Sequence, residues 1–338
     1  MDIQPAKTLA DFDAELATLN LFGQWNADAL LSKLTDGPKP GGDACIWRWE
    51  LVHRKLREAC ELFPESLRAR RNLTFVNTGL PRRGSTQTII MGMQLVMPGE
   101  IAWGHRHTIG ALRFTIDGSK DLSTVVDGHR LAMETNDLVL TPQWTWHDHH
   151  NDGERDGIWL DVLDVPLIMG LNQAFYEPYG EKCQPVEQTA RLPYRYAWRD
   201  VEPLLREHAG DDGSPYDGVR FAYVNPTDGG WTLPTMACYV QLLRPGLRTK
   251  AHRHTSSAIY YVIGGSGTTI VDGKELDWSD RDAFVVPNWA KHAHVNRSQS
   301  DEALLFSVTD EPLLAALGLN REDPEDASRK VALRLSSA

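Results

Sequence analysis

The chain has no long basic run, no apolar stretch near the length of a membrane span, and no cysteines at metal-like spacing. Each absence excludes something. With a net charge of −11, an extended nucleic-acid interface is not expected. A small anionic ligand stays compatible, because charge inside a pocket can oppose the net charge. The segment from Met1 to Gly23 mixes polar and apolar residues and carries Asp and Glu early, without a basic stretch leading into an apolar one. A secretory signal is therefore not expected. Cys45, Cys60, Cys183 and Cys238 fit free thiols in a cytosolic chain. What is present is an apolar fraction of 41% and a charged fraction of 24%, as in soluble globular proteins. A length of 338 residues suggests two domains.

Those two domains read as copies of one module. His105-Arg106-His107 returns as His252-Arg253-His254, an offset of 147 residues that Pro98-Gly99 and Pro245-Gly246 share. Leu56-Arg57-Glu58 matches Leu205-Arg206-Glu207, Gln94-Leu95 matches Gln241-Leu242, and Val126-Asp127-Gly128 matches Val271-Asp272-Gly273. The offset drifts only between 149 and 145, so the order of elements is kept.

Short apolar or alternating segments bounded by Gly, Asp or Pro predict strands at Ile89–Met97, Ala111–Ile116, Leu138–Thr141 and Ile158–Leu163. In the second half they fall at Cys238–Leu243, Ala258–Ile263, Thr268–Val271 and Ala303–Val308. Helices are expected at Leu9–Thr18, Ala27–Leu34, Trp49–Leu62, Asp200–His208 and Glu311–Leu317. Many short strands argue for an all-β-dominated chain, a sandwich or barrel in each half. The stretch from Pro166 to Gln188 shows no counterpart in the repeat and is expected to join the halves.

Each half adds a third histidine at one place. His147 lies 40 residues past His107, and His292 lies 38 past His254. Period two along a strand puts His105 and His107 on one face, and a third imidazole from a neighbouring strand completes a facial metal set with open positions. Imidazoles suit Fe, Zn, Cu, Ni and Mn alike, so the ligands do not choose the metal. For His252, His254 and His292, a second metal site and a structural relic are both open.

The spacing resembles the cupin superfamily. Pro142, His147 and Asn151, and likewise Pro287, His292 and Asn296, fit its second motif. The metal-binding Glu common in the first motif is replaced by Ala111 and Ala258. Three neutral ligands leave a dication's charge uncompensated and favour an anionic chelator. More closely, the chain resembles the gentisate 1,2-dioxygenases and their salicylate-cleaving relatives. The residues that carry this are Gly92-Met93-Gln94-Leu95, His105-Arg106-His107-Thr108 with Ala111-Leu112-Arg113-Phe114, Trp144-x-Trp146-His147-Asp148-His149, Trp47-Arg48-Trp49 and Arg70-Arg71-Asn72-Leu73.

The resemblance implies two tandem cupin barrels with flanking helices. The catalytic barrel would lie in 1–185, the second barrel with a C-terminal extension in 186–338, often in a homotetramer. It implies Fe(II) at His105, His107 and His147, chelation by the carboxylate and ortho-hydroxyl of a small aromatic acid, and ring opening with O2 between the carbons that bear those groups. Two other readings have less support. A manganese bicupin of the oxalate-decarboxylase kind lacks its Glu here, and a non-catalytic binding bicupin would not need six histidines.

Counting by twos from His105 turns Arg113 inward, either to meet the substrate carboxylate or to pair with a carboxylate such as Asp161. Its counterpart is Tyr260. His149, two past His147, is a candidate acid or base. Gln94 lines the pocket or serves the fold, as its repeat Gln241 would. Arg70 and Arg71 are candidate substrate contacts. Trp144 and Trp146 are expected to pack in the core. Ile90 stands where the family tends to have an aromatic, which opens the choice among gentisate, 5-substituted salicylates such as 5-nitrosalicylate, and 1-hydroxy-2-naphthoate.

Overall fold

The computed structural model describes residues 7–27, 31, 37–63, 71–186, 193–324 and 333–335. They form two compact units, Met1–Lys39 and Pro40–Ala338. In the first, the helix Leu9–Thr18 starts with a capping box in which Thr8 and Asp11 each accept the other's backbone N–H, at 3.1 and 2.9 Å. The helix expected at Ala27–Leu34 lies largely outside the described residues, and Ala27 itself closes a 3₁₀ turn, Gln24–Ala27.

The second unit holds two barrels. In the first, a six-stranded sheet (Arg195–Tyr196, Leu138–Thr141, Ala111–Asp117, Gly157–Leu163, Ile90–Val96, Arg71–Thr74) faces a five-stranded one (Tyr176–Pro178, Ile101–His107, His147–Asn151, Ser119–Val126, His129–Met133). In the second, a seven-stranded sheet centred on Ala303–Thr309 faces a three-stranded sheet that carries His292–Asn296. Strand alternation divides the core. Val96, Val139 and Trp159 point into the first barrel, whereas Met93, Leu95, Phe114 and Leu160 point outward and pack against Val240, Tyr261 and Phe306 of the second. Phe114 and Phe306 stack at 4.2 Å between the barrels. Each large side chain buried there contributes about 1.5–3 kcal/mol.

The duplication extends to the turns. Asp127-Gly128 and Asp272-Gly273 all have positive φ, as two-residue hairpin turns between twisted strands require. The expected strands and the helices Leu9–Thr18, Trp49–Leu62, Trp198–Glu207 and Glu311–Ala316 form within a few residues of their expected ends.

Two features escaped the sequence reading. First, the barrels exchange edge strands: Cys45–Trp47 pairs with Ala283–Val286 of the second barrel, and Arg195–Tyr196 pairs with Leu138–Thr141 of the first. The helix after each strand is anchored in the same way, Trp49 N–H on Asp282 at 2.9 Å and Trp198 N–H on Asp137 at 2.8 Å. Second, the segment after Pro166 does have a counterpart. Asp164-Val165-Pro166-Leu167 corresponds to Asp310-Glu311-Pro312-Leu313. Each Pro begins a short helix, and the strand that follows, Tyr176–Pro178 or Glu322–Asp323, pairs with a His-x-His strand. The intervening segments are equal in length, with Tyr176 and Glu322 each ten residues past the Pro, and it is their differing residues that hide the match.

Candidate active site

His105 and His107 leave one strand on the same face, and His105 pairs in register with His147 on the next strand. All three are buried, with ring centroids 4.3–5.4 Å apart. Their Nδ1 atoms lie 2.8, 2.7 and 3.0 Å from the carbonyl oxygens of Trp103, Ile109 and Thr145. A carbonyl can only accept, so each Nδ1 carries the proton and each Nε2 offers its lone pair. His147 Nε2 is buried without a hydrogen-bond partner. Burial first, then the cation of Arg113 and the neighbouring histidines, hold His147 well below the ordinary imidazole range. A neutral donor set of this kind, with its nitrogens within 4.8 Å of one another, fits a divalent metal.

The second set repeats it. His252, His254 and His292 have centroids 4.2–5.5 Å apart, and the Nδ1 atoms of His254 and His292 face the carbonyls of Ser256 and Ala290 at 2.7 and 3.0 Å. Among the described residues these are the two clusters able to hold a metal.

A cavity of about 590 Å³ opens onto the first set. Gln94, Ile90, Arg113 and His149 are among the residues that line it. Arg113 faces inward although the turn 108–110 carries the chain from one sheet to the other, which interrupts the count by twos; the two sheets face each other, so inward is kept. Its Nε lies 3.6 Å from Asp161 Oδ1 and its terminal nitrogen donates to Thr141. Asn72 holds the other Asp161 oxygen at 3.0 Å. His149 Nδ1 lies 2.8 Å from the Thr124 hydroxyl.

Arg71 is not among the lining residues. Its guanidinium pairs with Glu100 and donates to the Phe63 carbonyl at 2.9 Å, because strand alternation turns Asn72 and Thr74, not Arg71, to the cavity. Arg70 lies outside the described residues. Trp144 and Trp146 are not core residues either. They sandwich the Arg106 guanidinium at 4.3 and 4.5 Å, and Trp144 is 36% exposed. A cation one strand position from His107, on the opposite face, would have been hard to bury without a carboxylate or a ring, and Arg106 has both, with Glu177 2.8 Å away.

The sequence reading also missed the lining residues Tyr176 and Phe175. Tyr176 stacks on His105 at 5.3 Å. The Asp-x-Pro-Leu repeat was the signal that could have found them.

The two barrels differ by more than Arg113 against Tyr260. In the second, Tyr239 stands for Gly92, Arg220 for Asn72, Glu311 for Val165 and Ser307 for Asp161. The Tyr239 hydroxyl donates to Glu311 at 2.7 Å and Arg220 lies over its ring at 3.5 Å. Tyr239 thus crosses the space that Gly92 leaves open in the first barrel. A Cβ on Gly92 would stand 2.5 Å from Asn72 Oδ1, so the bare position also lets Asn72 reach Asp161.

Among the described residues, no helix is long and apolar enough to cross a membrane. Residues 92–163 and 239–309 match the cupin domain model. The chain is 44% identical to a 1-hydroxy-2-naphthoate 1,2-dioxygenase of Nocardioides sp. (strain KP7), over 95% of this chain and 89% of that protein. It is 39% identical to a 5-aminosalicylate 1,2-dioxygenase of Comamonas sp, over 94% and 91%. Its structure resembles that of a salicylate 1,2-dioxygenase from Pseudaminobacter salicylatoxidans at a TM-score of 0.82 and 26% identity, covering 95% of this chain and 99% of that one.

Proposed function

Because the chain belongs to the gentisate- and salicylate-type 1,2-dioxygenases, ring-cleaving enzymes of the cupin family, we propose that it uses Fe(II) and O2 to open an aromatic acid with an adjacent hydroxyl. Cleavage falls between the carboxyl-bearing and hydroxyl-bearing carbons. The observation that carries this reading is one cavity holding an open neutral triad and a buried arginine. We take residues 1–185 as the catalytic half and 186–338 as the supporting half, in a cytoplasmic homotetramer.

His105, His107 and His147 hold the iron, which when bound supplies coordination positions for the substrate's two oxygens and for O2 and an electronic path between ring and oxygen. Arg113 turns from Asp161 to the substrate carboxylate. His149, oriented by Thr124, takes the proton of the substrate hydroxyl at its other ring nitrogen. Gln94 and Ile90 form opposite kinds of wall, one polar and one apolar. Tyr176 and Phe175 restrict water at the mouth. We rank 1-hydroxy-2-naphthoate first and 5-substituted salicylates and gentisate after it, because Ile90 and Gly92 leave room beside the ring and supply no hydroxyl to read a 5-substituent.

Oxygen uptake after Fe(II) reconstitution, measured with 1-hydroxy-2-naphthoate, gentisate, salicylate and 5-amino- and 5-nitrosalicylate, tests the reading. One O2 should disappear per acid cleaved, and 1-naphthol, which lacks the carboxylate, should not react. Full activity in iron-free protein would sink it.

A further inference from the structure

The peptide group between Ile109 and Gly110 has two buried partners. Its carbonyl accepts from His107 Nδ1 at 2.7 Å, and its N–H donates to Asp164 Oδ1 at 2.8 Å. The other oxygen of Asp164 accepts from the hydroxyl of Thr235, at 2.7 Å, and more weakly from Gln143 Nε2, at 3.4 Å. Thr235 belongs to the second barrel, two residues before the strand Ala237–Leu243. The mirror arrangement is present as well. The Ser256–Ser257 peptide accepts from His254 Nδ1 at 2.7 Å and donates to Asp310 Oδ1 at 2.7 Å. The second oxygen of Asp310 accepts from Thr88, at 2.6 Å, and Thr88 belongs to the first barrel. Both aspartates are almost completely buried, at 1% and 4% exposure.

We propose that Thr235 and Thr88 are positioning residues that act across the barrel interface, each orienting the second histidine of the other barrel's His-x-His pair through a buried aspartate and one peptide plane. The inference rests on the metal reading of the triads. Its physical basis is peptide planarity: an N–H fixed on a carboxylate fixes the direction of the carbonyl on the same plane. That carbonyl sets the tautomer and ring angle of the ligand histidine, a kind of outer contact whose loss weakens metal binding about 10–100-fold. Losing the short hydroxyl contact leaves Asp164 Oδ2 only the 3.4 Å contact from Gln143, so the carboxylate turns to recover a partner, and turning moves the peptide. For the first site the chain of contacts runs Thr235, Asp164, Gly110, Ile109, His107; for the second it runs Thr88, Asp310, Ser257, Ser256, His254.

The test is a crossover of two substitutions against two sites. Co(II) affinity of the metal-free full chain is measured by chelator competition, with one triad disabled at a time by His292→Ala or His147→Ala. Thr235→Val should weaken Co(II) binding at the first triad about tenfold, change its visible absorption bands, and leave the second triad within error. Thr88→Val should do the reverse. Thr235→Ser and Thr88→Ser keep the hydroxyl and should bind as the parent does, which separates positioning from a folding defect. Unchanged affinity in Thr235→Val, or equal weakening of both triads by either substitution, would overturn the proposal. A parent protein that binds no Co(II) at either triad would overturn the metal reading and this inference with it.

Discussion

Arg113 has two partners in prospect, Asp161 when the cavity is empty and a carboxylate when it is filled, and replacing it with methionine tests both. The guanidinium is 3% exposed and Asp161 8%. Their separation, 3.6 Å, is long for a hydrogen bond. Breaking a buried pair by removing one partner costs about 3–5 kcal/mol. The long separation and the remaining Asn72 contact argue for the lower end, about 3 kcal/mol. At about 2–4 °C per kcal/mol for a large domain, Tm should fall by roughly 6–12 °C. Separately, losing a hydrogen bond to a charged substrate group costs about 1.5–3 kcal/mol, or roughly 10–150-fold in kcat/KM. The double variant Arg113→Met/Asp161→Asn separates the two effects. Differential scanning calorimetry should show Tm recovering, while oxygen uptake stays low. Asp161→Asn alone keeps the guanidinium and should retain most of kcat/KM. If the double variant recovers turnover along with Tm, Arg113 is a structural cation and the assignment to the substrate is wrong.

His105→Ala should abolish oxygen uptake and reduce bound iron, whereas His252→Ala should leave most turnover intact; equal loss from both would mean that the second barrel takes part in the chemistry. Asp310 is pushed up to about 6 from 3.8, mainly by burial and against its hydrogen bonds from Thr88 and Ser257. A raised carboxyl favours the folded state while protonated, so its contribution is full below about pH 4 and is lost as pH rises through about 6, up to about 3 kcal/mol. Denaturant midpoints of Asp310→Asn should lack that decline, and parallel pH curves for parent and variant would refute it. Ile90→Trp should depress kcat/KM for 1-hydroxy-2-naphthoate more than for salicylate, because the indole fills the space the second ring would use; an equal loss on both acids would show that Ile90 does not border the ring.

The ligand set was legible because it was written twice. One His-x-His decides little, but two at a constant offset, each with a third histidine, fix six residues, and the structure gathers them into two triads. Strands were legible through alternation and their Gly, Asp and Pro borders. What alternation could not reveal was which sheet each short edge strand joins. Cys45–Trp47 and Arg195–Tyr196 carry no pattern that marks the other barrel as their destination. Arg71 was misjudged for a related reason: two adjacent arginines offer both faces of a strand, and only the pairing of Asn72 with Gln94 decides which face meets the cavity. The tryptophans were misjudged because size suggested burial, whereas the ring faces serve the Arg106 cation.

The exchanged edge strands have a consequence for how the molecule came to be unequal. Two identical single-barrel chains trading an arm would make an isologous pair about a twofold axis, and any change in one would appear in both. Joining them end to end keeps the mutual grip and lifts that constraint. One chamber can then be plugged, as Tyr239 does, without closing the other. It also makes the plugged copy indispensable, since it lends the open one a strand. Cut between 185 and 186, neither piece should yield a well-formed barrel alone, yet the two pieces mixed should find each other.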